Sequence, residues 1–123
     1  MNPQPIPSFA LVTGAAGGLG KAFAVECARR GWDLYLTDLS APALETLAAG
    51  VRAAYGVQVR CRPCDLTSAD DRAAFFQHLE EERANFHTLI NVAGGDFEGP
   101  FLEQSRQRIR TLLRLNIEGT LEL

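Results

Sequence analysis

Short apolar runs alternate along the chain with longer segments of helical periodicity. Phe9-Ala10-Leu11-Val12-Thr13 is nearly continuous in apolar residues, the mark of a strand buried on both faces of a parallel sheet. Gly14 ends it. Leu19, Phe23 and Cys27 then share one face of a helix predicted from Leu19 to Arg30, and Gly31 is placed to stop it. Asp33 to Thr37 alternates as a second strand, after which Ser40 is placed to cap a helix with Pro42 in its first turn. That helix runs to about Tyr55 and closes at Gly56. Val57 to Cys61 reads as a third strand, and Thr67 or Ser68 caps a helix that continues to about Arg83. Thr88 to Val92 reads as a fourth strand, Gly94-Gly95 breaks it, and a last helix runs from about Leu102 towards the end of the chain.

Strands and helices in strict alternation predict a doubly wound α/β architecture, with a parallel sheet, right-handed crossovers and helices on both faces. A length of 123 residues suits one domain. It is assigned to residues 9–123, with residues 1–8 as a flexible tail. Hydrophobic residues at 46% and charged residues at 22% are ordinary for a globular protein. The net charge of -3 carries no electrostatic footprint for nucleic acid or an anionic membrane. Residues 1–8 hold three prolines and no Lys or Arg, no apolar secretory core follows, and no run approaches the length of a membrane span. A cytoplasmic protein is therefore expected.

Three cysteines, Cys27, Cys61 and Cys64, are an odd and sparse set, unlike a secreted disulfide framework. Cys61-Arg62-Pro63-Cys64 has the spacing of a redox pair or half a zinc site, but no second Cys or His pair accompanies it, and no metal site is expected.

Candidate chemistry concentrates between the first strand and the first helix, in Thr13-Gly14-Ala15-Ala16-Gly17-Gly18-Leu19-Gly20. Glycines there let the backbone turn sharply and approach a ligand closely. The free N–H groups and positive dipole end of the following helix favour a pyrophosphate. A glycine-rich turn can also serve steric needs alone. Here, however, the loop follows a buried strand, opens a helix, and is followed at about the expected 20-residue offset by Asp38, an acidic group placed for a ribose hydroxyl.

The wider Thr-Gly-x-x-x-Gly-x-Gly spacing resembles that of the short-chain dehydrogenase/reductase family. Asp65-Leu66-Thr67 is similar to the family's turn against adenine, and Asn91-Val92-Ala93-Gly94 resembles its Asn-Asn-Ala-Gly motif, with Val92 departing at the second position. Leu115-Asn116-Ile117-Glu118-Gly119-Thr120 looks like the segment that bears the Asn of the catalytic tetrad. The resemblance implies a Rossmann-type domain, truncated after the fourth βα unit. Its cofactor-binding residues would be Thr13, Gly14, Gly17, Gly18, Leu19, Gly20, Asp38, Asp65, Leu66, Asn91, Ala93 and Gly94, and its catalytic residue Asn116. The family's catalytic Ser and Tyr-x-x-x-Lys are expected beyond Leu123; neither Tyr35 nor Tyr55 has a Lys four residues on.

In the last helix Phe101, Ile109, Leu112, Leu113 and Asn116 fall on one face, while Arg106, Arg110, Arg114, Glu118 and Glu122 form a stripe read as solvated. An amide on an apolar face needs partners. Asn116 is read either as a tie to a neighbouring loop, favoured for this chain, or, by resemblance, as the holder of a proton-relay water in a longer parent. His78 and His87 are read as a helix-surface residue and a residue at the start of a strand, and neither belongs to a nucleophile motif. The expected cofactor is NAD and the expected substrate of a full-length parent a small alcohol or carbonyl compound. A non-enzymatic NAD-binding or interaction module, and a fragment with no function of its own, are the alternatives. With strand one between strands two and four, Thr88 to Val92 would be an unguarded edge, so self-association into a homo-oligomer is expected.

Overall fold

The computed structural model describes residues 3 and 5–123. Four parallel strands, β1 (Ser8–Thr13), β2 (Leu34–Thr37), β3 (Val59–Cys61) and β4 (Asn85–Asn91), form one sheet in the order β3-β2-β1-β4. Helices α1 (Gly18–Arg29), α2 (Ala41–Tyr55) and α3 (Ala69–Glu81) make the crossovers. Ser8 already belongs to β1, and the Pro7 carbonyl accepts a hydrogen bond from the Asn85 N–H, so the ordered domain begins slightly before residue 9. The tail assignment at residues 1, 2 and 4 lies outside the described residues.

β1 distributes its side chains to two cores. Ala10 and Val12 join α1 and α2 on one face, with Ala24, Cys27, Leu44, Ala48 and Val51; Phe9 and Leu11 join α3 on the other, with Phe75 and Leu79. β2 does the same: Leu34 and Leu36 face the first core and Tyr35 the second. Every residue of β2 is therefore buried, whereas alternation suggested a strand with one polar face. Covering helices on both faces remove the distinction.

The buried face of α1 is Gly20, Ala24, Cys27 and Ala28, which corrects the expected Leu19, Phe23 and Cys27 face. Leu19 is 63% exposed and Phe23 40%. Close packing of this helix on the sheet selects small side chains, so size and not hydrophobicity marks its inner face. Ser40 caps α2 by accepting the Ala43 N–H, Gly56 ends it in a left-handed conformation, and Ser68 caps α3 by accepting from Asp71. β3 starts at Val59, two residues later than the pattern suggested.

β4 starts earlier than expected and carries a register shift: Phe9 pairs with Phe86 but Ala10 pairs with Thr88. His87 is thus the extra residue inside the strand, and its ring meets Trp32 edge to face at 5.1 Å. His78 sits on the α3 surface beside Glu81, as read. The last helix is not continuous. A single 3-10 turn covers Phe101–Glu103, α4 spans Arg106–Leu113 with Ser105 as its cap, a π-helical turn covers Arg114–Glu118, and an α turn follows at Gly119–Leu121.

Candidate functional site

Beyond the carboxyl ends of β1, β2 and β4 lies a cleft of about 570 Å³, the place where doubly wound sheets hold ligands. Its floor is the glycine loop. Gly14 sits at φ 60°, and a Cβ there would lie 2.8 Å from the Ala93 nitrogen; at Gly20 a Cβ would lie 2.0 Å from the Gly14 carbonyl oxygen. Packing within the protein accounts for both residues. Gly17 and Gly18 differ. Gly17 is extended, neither residue has a positive φ, and a Cβ on Gly18 would meet no protein atom within 4 Å. A Cβ on Gly17 would make only an ordinary contact with the Gly14 carbonyl oxygen at 3.5 Å, so among the described residues nothing demands glycine at either position, and at Gly18 open space stands where a side chain would be. No side chain caps the N-terminus of α1 at this point, so its first-turn N–H groups are left for another acceptor.

Side chains around the loop hold it in shape. The buried Thr13 hydroxyl accepts from the Val92 and Ala93 N–H groups at 3.1 Å each, joining the ends of β1 and β4. One Asp38 carboxylate oxygen accepts from the Ala16 N–H at 2.9 Å and the other from the Leu39 N–H, so the residue after β2 grips the glycine loop. Asp65 Oδ1 accepts from both the Thr67 N–H and its hydroxyl, at 2.9 and 2.7 Å, which fixes the turn before α3. Asn116 holds Gly95 at two points: its Oδ1 accepts from the Gly95 N–H and its Nδ2 donates to the Gly95 carbonyl, both at 2.8 Å. The residue is exposed and lies in the π-helical turn, so the regular-helix reading that put it on an apolar face is corrected.

Of the residues singled out from sequence, Gly14, Gly17, Gly18, Leu19, Gly20, Asp38, Asp65, Leu66, Ala93 and Gly94 line the cleft together. Thr13, Asn91 and Asn116 do not: the first is turned to the backbone of β4, the second is outside the wall at the end of that strand, and the third is tied to Gly95. Thr37, Thr111 and Leu115 line it without having been anticipated. The Thr37 hydroxyl oxygen is buried and has no hydrogen-bond partner among the described residues. Thr111 and Leu115 are four residues apart and share a helical face, a signal hidden by the more obvious charged stripe. Among the described residues no Lys or Arg lines the cleft.

The cysteines take no part as a pair. Cys61 packs against the α2-side core and donates to Glu45 Oε1 at 3.3 Å, while Cys64 lies in the α3-side core, so the two thiols serve opposite faces of the sheet. Burial is the main cause that pushes both thiols up to about 11, with the neighbouring carboxylates Glu45, or Asp71 and Asp65, adding to it. Thiolates suited to redox exchange or metal ligation are thereby disfavoured. Among the described residues no helix is long and apolar enough to cross a membrane.

The open space at Gly18, the uncapped helix and the unpartnered Thr37 hydroxyl together fit a dinucleotide with its pyrophosphate at the loop. Known proteins agree with this geometry. The chain is 34% identical over 119 residues to a very-long-chain 3-oxoacyl-CoA reductase of Aspergillus clavatus, a match covering 95% of this chain and 34% of that protein. It thus spans about one third of the length of such relatives. A short-chain dehydrogenase from Sphingobium yanoikuyae, solved in complex with NADPH, superposes with a TM-score of 0.86 at 36% identity, over 94% of this chain and 45% of that one. The bulky-bulky ketone specific alcohol dehydrogenase from Comamonas testosteroni gives 0.85 at 31%, over 96% and 47%. The sequence model described as short chain dehydrogenase matches residues 8–123, and the chain belongs to that family.

Proposed function

We propose that this chain is the cofactor-binding part of an oxidoreductase that moves hydride between a nicotinamide dinucleotide and an alcohol or carbonyl substrate, and that it takes NAD in preference to NADP. The observation that carries the reading is Gly18 facing open space at an uncapped helix start. When bound, the nicotinamide would supply the hydride chemistry; the work of the chain is to bind and orient it. Gly17, Gly18, Leu19 and Gly20 would hold the pyrophosphate, Asp38 the adenosine ribose, and Asp65 and Leu66 the adenine. Ala93 and Gly94 would flank the cofactor, and Asn116 would keep Gly95, and with it Gly94, in place. The carbonyl substrate class is supported by the relatives, named as a 3-oxoacyl-CoA reductase and a ketone-specific dehydrogenase.

The preference for NAD rests on charge. The Asp38 carboxylate can accept from a ribose hydroxyl and would repel a 2′-phosphate, and among the described residues no cation in the cleft wall offsets it. Several neighbours are complexes with NADPH or NADP; the preference for NAD rests on Asp38 and not on them. Titration calorimetry on the purified chain should show NAD binding more tightly than NADP, and Asp38→Ala should narrow the difference. Equal or tighter binding of NADP would overturn the preference, and failure of both to bind would overturn the cofactor reading. The 123-residue chain, which lacks a Tyr-x-x-x-Lys pair, should bind without turning over alcohols.

A further inference from the structure

Arg72 is an unusual residue for its place. It lies on the inner face of α3 with its side chain 7% exposed, where an unpaired guanidinium would be costly. Two groups from distant parts of the chain satisfy it. Nη1 donates to the Leu66 carbonyl at 2.6 Å, and Nη2 donates to Glu118 Oε1 at 2.7 Å. Leu66 belongs to the Asp65–Thr67 turn on one side of the cleft. Glu118 closes the π-helical turn that also contains Asn116. The sequence reading placed Glu118 in a solvated stripe; it is half exposed, yet its carboxylate is anchored inwards.

A second contact joins the same two segments. Gly119, buried directly after that turn, presses on Leu66: a Cβ there would come within 3.0 Å of the Leu66 oxygen. Leu115, from the same turn, lines the cleft with Leu66. A continuous path therefore runs from the Leu66 carbonyl through Arg72 and Glu118 to the π-helical turn, and from Asn116 to Gly95 beside the opposite wall. Five-residue turns of this kind are strained relative to the α-helix and persist where contacts hold them.

We propose that Arg72 is a positioning residue: by bridging Leu66 and Glu118 it couples occupation of the adenine side of the cleft to the order of the helical turn that carries Asn116. The inference rests on the reading of the cleft as a nucleotide site. A nucleotide seated against Leu66 fixes the carbonyl that Arg72 grips, and the fixed guanidinium in turn holds Glu118. The Gly119–Leu66 contact joins the same two segments, so the proposal assigns the coupling to the Arg72 bridge in particular, and cutting that bridge is what tests it.

AMP, which carries only the adenine half, is the probe, and amide hydrogen exchange in the 123-residue chain is the readout. In the unmodified chain saturating AMP should slow exchange across residues 114–121 by about fivefold or more, the lower range of site-to-site couplings. Glu118→Ala removes a half-exposed side chain but leaves Arg72 with the Leu66 carbonyl alone, so its fold is checked by circular dichroism before exchange is read. This variant should abolish the slowing at 114–121 while AMP still protects residues 65–67. Glu118→Gln keeps an oxygen acceptor for Nη2 and should restore the slowing. Arg72→Met, if it folds by circular dichroism, should behave as Glu118→Ala. Undiminished protection of 114–121 in Glu118→Ala, or none in the unmodified chain despite bound AMP, would overturn the coupling alone. Failure of both AMP and NAD to bind would remove the cofactor reading and this inference with it.

Discussion

Adjacent glycines in one loop carry different duties, and substitution separates them. A Cβ on Gly20 would sit 2.0 Å from the Gly14 carbonyl oxygen, a backbone atom that cannot step aside. Gly20→Ala should destabilise by about 1–3 kcal/mol, as overpacking does. A Cβ on Gly18 meets nothing, so Gly18→Ala should leave the melting temperature unchanged or raise it slightly, yet weaken NAD binding by about tenfold because the backbone must approach the pyrophosphate closely. Melting curves and calorimetry on the two variants check this; a Gly18→Ala chain that binds NAD normally would remove the argument for the loop. The thiols give a pH prediction. Cys61 and Cys64 are held up at about 11 from an ordinary 9.0, chiefly by burial. A folded-state pKa raised above the unfolded one means stability that is fully present below about pH 9 and is lost as pH rises through about 11. Tyr35, raised by burial and by Glu82, acts in the same direction. Urea midpoints should therefore fall between pH 9 and 11, and Cys64→Ala should flatten the fall. A midpoint constant across that range would contradict it. At this scale the place of the glycines and Asp38 around one cleft was legible because backbone freedom and charge leave few alternatives, although Gly14 and Gly20 answer to packing within the protein. Thr37 and Thr111 were not, since a hydroxyl gives no sign of which way it faces.

Elements differ in how far their residues betray them. β1 was legible because five of its six residues are buried, so an apolar run is the whole signal. β2 has the same burial but contains Tyr35 and Thr37, whose polar atoms imitate an exposed face. The helix caps at Ser40 and Ser68 and the left-handed Gly56 stand where the local chemistry put them, because a cap is satisfied within four residues of chain. The end of the chain is the opposite case. Periodicity of 3.6 residues assumes an unbroken α-helix, and the π-helical turn at Arg114–Glu118 inserts an extra residue that rotates everything after it. Asn116 consequently leaves the apolar face and reaches Gly95, while Glu118 leaves the solvated stripe and reaches Arg72. Both partners lie more than forty residues or a full loop away, and no local pattern can contain them. Similarly, His87 was placed at the start of a strand because the bulge that absorbs it depends on pairing with β1.

Across the whole molecule the sheet is covered unevenly. β3 forms one edge and carries Arg60, with Arg62 just after it, both within 4 Å of Glu82, and charged side chains of this kind discourage pairing with another chain. β4 forms the other edge, pairs only with β1 among the described strands, and has no Lys, Arg or Pro between Asn85 and Asn91. Apolar surface is bare both on this strand and elsewhere: Leu89 is 41% exposed, and Leu113 and Ile117 near the end of the chain are 52% each. An unpaired strand edge and a separate, partly bare helix face are each templates for association. The purified 123-residue chain should therefore dimerise or form larger species at micromolar concentration, measured by light scattering. Leu89→Lys and Leu113→Glu should each shift the population towards monomer, because a charge buried between copies is costly. Hydrogen exchange distinguishes the route. Association through β4 protects its outward amides in a concentration-dependent way, whereas a chain that stays monomeric with those amides already protected would show that the edge is closed within the molecule itself.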